Sequence, residues 1–416
     1  MQDVRVKLLK DVYPANELVE VVGAVKFRGD YIDSMHQLVN QQKMTNKSLS
    51  PYIVFLIDVS GSMYGDKIET LRDSLLKFID YGYLDNNYLS IVTFGEESNV
   101  IFKDLLVSQN KSKILNKIKS LDATEPATYA FEGFKKIYNE FNSNLNVSKR
   151  IIYFTDGDDF DEDEAKRYIK KLVDEKHYVI TSVGTGVEYN EEFLEDVANI
   201  GKGGFYHLSS MDNFFNDIKI EIQQANSEIF TNCKLTNIRV LDGVKIKEFF
   251  KVGKGVTKLE VARDFILCGN LTPDDRLVFK MDAIGSGGMS TIFQATMEYY
   301  IGNNRYTQDI NINVNFSNNK ESLNNSTIDV EIIDTNKQIM AYKKIKEAQE
   351  FYKKGQEQRA RTVIAEISPI IKSISDDDEI VALLEDVNSG QKLTPDITRK
   401  LLSYTRTKTK TRSDTK

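Results

Sequence analysis

Hydrophobic and polar positions divide the chain into three patterned regions. From position 51 to about 225, short and almost wholly apolar runs such as YIVFLID (52–58) alternate with segments of helical periodicity. Strands this apolar are covered on both faces of a sheet, and alternation with helices indicates parallel crossover connections. We therefore predict an α/β domain with a doubly wound, mostly parallel sheet. Its ligand site should lie at the carboxyl ends of the strands.

Six strands and six helices are predicted in this α/β domain. The strands are 52–58, 88–95, 150–156, 178–184 and 204–209, with a short antiparallel edge strand at 98–105. The helices lie near 66–81, 111–120, 130–141, 162–176, 190–200 and 211–225.

The second region, from about 229 to 334, alternates with a period of two and predicts a β-sandwich. Its last predicted strand is STIDVEII (326–333). Residues 1–50 contain one or two further strand patterns and a polar connector, which are too few for a domain of their own. We expect them to complete the sandwich, so that the α/β domain is inserted in it. The alternative is an extension that packs on the α/β domain.

The third region is predicted to be helical, and a basic tail follows it. Residues 336–403 show helical patterns, and the acidic run after Ser375 suits a helix start. The predicted divisions are residues 1–50, the α/β domain 51–226, the sandwich 227–335, the helical region 336–403 and a basic, disordered tail 404–416.

Composition narrows the class of protein. The 416 residues carry a formal net charge of −7, which argues against nucleic acid as the main partner. Two cysteines make neither a disulfide framework nor a zinc site. The start, MQDVRVKLLKDVYP, lacks the apolar core of a signal peptide, and no apolar run is long enough to span a membrane. We expect a cytoplasmic protein.

Two strand ends carry the candidate chemistry. The first strand ends in Asp58-Val59-Ser60-Gly61-Ser62-Met63, and the 150–156 strand ends in Thr155-Asp156-Gly157. Carboxylates and hydroxyls should therefore meet at one rim of the sheet. An oxygen-only set without His or Cys suits Mg²⁺ or Mn²⁺ and does not suit Zn²⁺.

These motifs resemble those of the von Willebrand factor A domain. DVSGSM is similar to the family's DxSxS motif, and FTDG resembles its second acidic loop; the resemblance covers about 52–225. It implies a metal-ion-dependent adhesion site in which Ser60 and Ser62 bind the metal directly, and Asp58 and Asp156 bind it directly or through water. Thr128 corresponds to the family's loop threonine, and Thr124 is the alternative.

The resemblance also implies how such a site works. One metal position stays open, and an Asp or Glu of a protein partner completes it. The metal is Mg²⁺ or Mn²⁺, with Ca²⁺ possible. Seven of the nine residues 156–164 are acidic, which suits a helix start. The alternative is that this charge repels generally acidic partners and favours one that presents a single carboxylate within a basic surface.

We predict no catalytic residues. The histidines (His36, His177 and His207) do not neighbour the motifs, and HExxH, GxSxG and Walker A sequences are absent. The overall layout resembles cytosolic relatives of the inter-α-trypsin-inhibitor heavy chains. We therefore expect a metal-dependent adaptor or assembly scaffold. The alternatives are a regulatory partner of a MoxR- or chelatase-type AAA+ ATPase, and a degenerate site that no longer binds metal. The sequence leaves the partner and the oligomeric state open.

Overall fold

A computed structural model describes residues 3–45, 50–141, 147–156, 160–185, 189–208, 211–253, 255–262, 264–375 and 378–407. Internal contacts divide the chain into two compact units. The sandwich unit comprises Met1–His36, Asn232–Tyr300 and Arg305–Lys416. The α/β unit comprises Gln37–Thr231 and Ile301–Asn304.

The strands and helices of the α/β unit follow the predicted alternation. Its strands are β4 (Tyr52–Asp58), β5 (Tyr88–Phe94), β6 (Ser98–Leu106), β7 (Lys149–Thr155), β8 (Val179–Thr185) and β9 (Lys202–Leu208). Its helices are α2 (Asp66–Asp80), α3 (Val107–Lys119), α4 (Ala130–Glu140), α5 (Glu162–Asp174), α6 (Glu191–Gly201) and α7 (Met211–Ser227).

The central sheet has the order β6-β5-β4-β7-β8-β9, and the pairings β4–β5, β4–β7, β7–β8 and β8–β9 are parallel. Strand β6 pairs with β5 in the antiparallel direction, as predicted for the edge strand. Strand β4 supplies both faces of the sheet: Ile53, Phe55 and Ile57 pack with α2, α3 and α7, whereas Val54 and Leu56 pack with α4, α5 and α6. This double burial explains why the sequence of β4 is apolar without alternation.

The sandwich unit contains two five-stranded sheets. Its strands are β1 (Val4–Leu8), β2 (Val12–Pro14), β3 (Val19–Phe27), β10 (Phe230–Val240), β11 (Lys245–Val252), β12 (Val256–Leu259), β13 (Phe265–Leu271), β14 (Arg276–Ala283), β15 (Gly288–Ile301) and β16 (Asn304–Ser317). The sheet orders are β1-β3-β14-β11-β12 and β13-β10-β15-β16-β2. Because β3 pairs with β14 and β2 with β16, the first strands of the chain complete sheets built mostly from its second half. The predicted fold class, an α/β domain inserted in a β-sandwich, is confirmed.

Four helices cover one face of the first sandwich sheet. They are α9 (Val330–Lys353), α10 (Glu357–Ile374), α11 (Asp378–Ser389) and α12 (Pro395–Thr407), and a short helix α8 (Lys320–Asn324) precedes them. Apolar residues of α9, α10, α11 and α12 share a core with Val22, Phe250 and Val278 of that sheet. None of the helices in the described ranges is both long and apolar enough to cross a membrane.

The structure differs from the sequence-based expectation at three places. Residues 29–45, which we expected to be loop and polar connector, form helix α1 (Gly29–Thr45). The strand predicted at 326–333 is wrong, because Asp329 caps a helix there: its side chain accepts a hydrogen bond from the Ile332 amide at 3.2 Å, and α9 begins at Val330. Helix α12 continues to Thr407, beyond the predicted end at 403; residues 408–416 of the predicted tail lie outside the described residues.

Candidate metal centre

The first motif lies where strand β4 gives way to helix α2. Asp58 ends β4, a 3₁₀ turn spans Gly61–Met63, and α2 starts at Asp66. Gly65 precedes α2 with φ of +82°, a conformation that side-chain-bearing residues rarely adopt. This tight connection holds the two motif serines beside the carboxyl end of β4.

Asp58 is fully buried and held by two donors. The Ser60 amide donates to Asp58 Oδ1 at 2.8 Å, and the Thr155 hydroxyl donates to Asp58 Oδ2 at 2.6 Å. Burial nevertheless raises the pKa of Asp58 to about 6, because removal from water disfavours the charged carboxylate. A cation bound here would restore the charged form.

The second carboxylate lies within hydrogen-bonding reach of the first motif. Asp156 follows β7, the parallel neighbour of β4, and it is buried. The Ser62 hydroxyl donates to Asp156 Oδ1 at 2.8 Å, and the hydroxyls of Ser60 and Ser62 are 3.0 Å apart. Ser62 is exposed, so this oxygen cluster has one side that faces solvent.

The loop that carries the predicted threonine runs alongside the motif. Glu125 forms a parallel β-bridge with Ser60, and its amide donates to the Val59 carbonyl at 3.0 Å. Thr128 is buried whereas Thr124 is exposed, which favours Thr128 as the loop ligand. The Thr128 hydroxyl forms no hydrogen bond with the four other candidates; its carbonyl accepts from the Phe160 amide at 3.2 Å.

Sequence reasoning missed Lys67, which lies in the first turn of α2. Its ammonium contacts Asp156 Oδ2 and donates to the Ser62 carbonyl at 3.2 Å. A signal was present: the helix dipole disfavours a cation in the first turn, so a lysine there suggests a nearby anion. The protein's own cation thus occupies one side of the oxygen cluster.

The donor set fits a hard divalent cation. Asp58, Ser60, Ser62 and Asp156 offer only oxygens, which Mg²⁺ and Mn²⁺ prefer. Within the described ranges no three or more His, Cys, Asp or Glu residues gather in a way that could hold a metal, so such a site depends on the hydroxyls as well as the two carboxylates. An ammonium resting on Asp156 shows that the cluster attracts positive charge.

The surroundings of the oxygen cluster are aromatic and acidic. Tyr64 and Phe160 are 74% and 73% exposed, and the ring of Tyr129 lies 5.6 Å from that of Phe160. Asp161 caps α5 by accepting from the Glu164 amide at 3.4 Å, as an acidic helix start would. Gly157, Asp158 and Asp159 of the acidic loop lie outside the described residues.

Comparison with protein families finds a match for the α/β unit. Residues 53–224 match the model of the von Willebrand factor type A domain. Curated relatives include the uncharacterized protein YfbK of Escherichia coli, 28% identical over 41% of this chain and 31% of that protein. The bovine inter-alpha-trypsin inhibitor heavy chain H3 is 29% identical over 45% of this chain and 22% of that one. The chain therefore aligns with a third or less of these relatives' length.

Solved structures share the whole fold. A von Willebrand factor type A protein from Catenulispora acidiphila aligns over 99% of this chain and 98% of its own, with a TM-score of 0.76 at 14% identity. The ArnB paralog VWA2 from Sulfolobus acidocaldarius aligns over 97% and 96%, with a TM-score of 0.59 at 17% identity. At these identities the likeness concerns the fold, and it covers the sandwich and the helices as well as the α/β unit.

Proposed function

We propose, from the premise that residues 53–224 form a von Willebrand factor type A domain, that this protein is a metal-dependent protein-binding module. Domains of this family generally mediate protein–protein interaction and often bind metal. In this proposal the protein acts as an intracellular adaptor or assembly scaffold and has no catalytic role. The observation that carries it is the convergence of Asp58, Ser60, Ser62 and Asp156 at one end of the central sheet.

Each of these residues has a role in holding the metal. Ser60 and Ser62 are the direct ligands, Asp58 and Asp156 supply negative charge directly or through water, and Thr128 approaches from its loop. Mg²⁺ or Mn²⁺ fits this set best, and Ca²⁺ also accepts oxygen ligands. When bound, the ion supplies a local positive charge that attracts a carboxylate. The exposed Ser62 marks the side from which a partner's Asp or Glu arrives.

The surface around the oxygen cluster indicates what else the partner presents. Exposed aromatic residues such as Tyr64 and Phe160 tend to become buried anchors in interfaces. The acidic start of α5, Glu162, Asp163 and Glu164, repels other acids. The matching partner surface is a single carboxylate flanked by apolar residues and set among basic ones.

Calorimetry tests the metal site directly. Mg²⁺ and Mn²⁺ are titrated into the chelator-treated full chain and into the Ser60→Ala/Ser62→Ala variant. We expect binding by the unmodified protein and none by the variant. The control variant Ser108→Ala/Ser112→Ala makes the same change at exposed positions on α3 and should bind normally. Absence of binding by the unmodified protein would contradict the proposal.

Affinity capture tests the function. Partners are captured from a lysate in Mg²⁺ and in EDTA, with the unmodified chain and the double serine variant as baits. A protein retained only by the unmodified chain in Mg²⁺ supports a metal-dependent adaptor. Retention of an AAA+ ATPase under those conditions would assign the regulatory role instead. A partner set indifferent to both EDTA and the substitutions would place the binding surface elsewhere.

A further inference from the structure

The sandwich unit contains a groove along the free edge of strand β1. Two cavities of about 860 and 520 Å³ adjoin there and share five lining residues: Arg5, Val6 and Lys7 of β1 with Asn311 and Asn313 of β16. We refer to these two cavities together as the edge groove. Volumes of this size are typical of clefts that bind ligands.

Both strands that line the edge groove have an unpaired edge there. β1 is the outermost strand of the first sandwich sheet, and among the described residues Val4–Leu8 pair only with β3; just beyond β1, Lys10 forms an antiparallel bridge with Ile328. β16 pairs with β2 only through Asn315–Ser317, so residues 304–314 have no strand partner on that side among the described residues. Unpaired edges present backbone donors and acceptors, which can bind an added strand.

The edge groove carries an excess of positive charge although the chain is acidic overall. Six cationic side chains line it, against four acidic ones. At its inner end the charges are satisfied: Glu331 accepts from Lys7 at 2.6 Å and from Arg276 at 2.9 Å, and these cations hold the pKa of Glu331 down to about 2. This part of the groove is a closed network with little capacity for another ion.

The uncommitted charges lie at the mouth of the edge groove. Arg5 and Lys10 are exposed, and neither forms an ion pair with any residue that the structure describes. Arg5 lines both cavities and Lys10 lines the smaller one. Exposed cations beside a free strand edge favour an occupant that offers both a backbone and carboxylates.

We propose that the edge groove binds an extended acidic segment of a partner protein, which adds a strand to the sandwich. Backbone groups of β1 supply the pairing, and Arg5 and Lys10 select carboxylates on the added strand. A second copy of this chain is disfavoured, because it would bring the same cations to the same edge. The chain's own carboxyl-terminal sequence TKTKTRSDTK (407–416) is disfavoured because it is basic.

The test uses a fluorescein-labelled eight-residue peptide of alternating Glu and Val, with blocked ends. Fluorescence anisotropy measures its binding to the full chain at low salt in EDTA. We expect the Arg5→Glu/Lys10→Glu variant to bind about tenfold more weakly, since each exposed charge pair contributes a few-fold. The control variant Lys113→Glu/Lys117→Glu makes the same charge change on the exposed face of α3, and its affinity should stay within about twofold.

Modified probes separate strand pairing from simple charge attraction. A peptide methylated on every backbone amide nitrogen should bind at least about tenfold more weakly, because its backbone cannot donate hydrogen bonds. A peptide with Lys in place of Glu should not bind. The proposal is overturned if the Glu-Val peptide fails to bind at millimolar protein, or if methylation leaves its affinity unchanged. It is also overturned if inorganic phosphate displaces the peptide at equal concentration, which would indicate a small-anion site.

Discussion

Lys67 offers the sharpest test of how the candidate metal centre works. In the structure its ammonium contacts Asp156, whose side chain is 0% exposed, while the side chain of Lys67 is 39% exposed. A metal held by Asp156 must displace this ammonium or tolerate its positive charge. We therefore expect Lys67→Met, which keeps the length of the side chain and removes its charge, to raise the affinity for Mg²⁺.

The size of the effect follows from the exposure of the ion pair. An exposed pair contributes up to about 1 kcal/mol, and a hydrogen bond to a charged group about 1.5–3 kcal/mol. Lys67 is partly exposed and Asp156 is buried, so about 1–2 kcal/mol is reasonable. Relief from this competition corresponds to about a 5- to 30-fold rise in metal affinity.

Isothermal titration calorimetry of the chelator-treated full chain measures this affinity. Lys111→Met is the matched control, because Lys111 is also 39% exposed and pairs with Asp80 at 3.7 Å, away from the candidate ligands. Its metal affinity should change less than about twofold. An unchanged or weaker affinity in Lys67→Met would refute competition and make Lys67 a residue that orients Asp156.

Three further predictions concern stability. Glu221→Ala should lower the free energy of unfolding by about 3–5 kcal/mol in urea, because it leaves the buried Arg150 guanidinium with one carboxylate fewer. Gly95→Ala should cost about 1–3 kcal/mol and weaken metal binding, because its Cβ would lie 2.2 Å from Cβ of Glu125. Glu331→Gln should lower the free energy of unfolding in urea by about 1–2 kcal/mol at neutral pH, after allowance for screening of the partly exposed ion pairs by solvent. The lowered pKa of Glu331 gives stability above about pH 4.5 that is lost toward pH 2, so the variant should lose less stability over that range.

Two matched variants serve as controls for the first two of these predictions. Glu140→Ala removes a carboxylate from an exposed pair with Lys136 and should change stability by less than about 0.5 kcal/mol. Gly29→Ala adds a methyl group where no heavy atom lies within 4 Å apart from its chain neighbours and its own helix backbone, and it should leave metal binding unchanged. A Glu221→Ala loss no larger than that of Glu140→Ala, normal metal binding by Gly95→Ala, or an unaltered acid profile in Glu331→Gln would contradict the respective reasoning.

The α/β unit was the most predictable part of the fold, for a physical reason. Its strands are buried on both faces, so their sequences are continuous apolar runs with clear ends, and β4 was predicted with its observed bounds of 52–58. Because parallel strands end at one rim, the approach of Asp58 and Asp156 could be anticipated from their positions alone. The sequence also indicated that the first strands would complete the sandwich.

Other features depended on tertiary contacts that the pattern does not encode. The segment STIDVEII alternates like a strand, but the capping carboxylate of Asp329 starts a helix within it. Helix α1 has a signal that the prediction did not use, because Ile32, Met35 and Val39 are apolar at helical spacing among polar residues. Lys67 pairs with Asp156, and Glu331 pairs with Lys7. Both pairs join residues that are distant in sequence, so no local pattern indicates them.

The pairing of β3 with β14 has a consequence for biosynthesis. Val25 pairs with Leu277, so the amino-terminal hairpin leaves the ribosome about 250 residues before the strand that it needs. At about 5–20 residues per second the delay is roughly 12–50 s. All six strands of the central sheet emerge during that interval. The nascent chain can therefore complete the α/β unit while the edge of β3 that will pair with β14 is still exposed. That exposed strand edge is where a chaperone would bind.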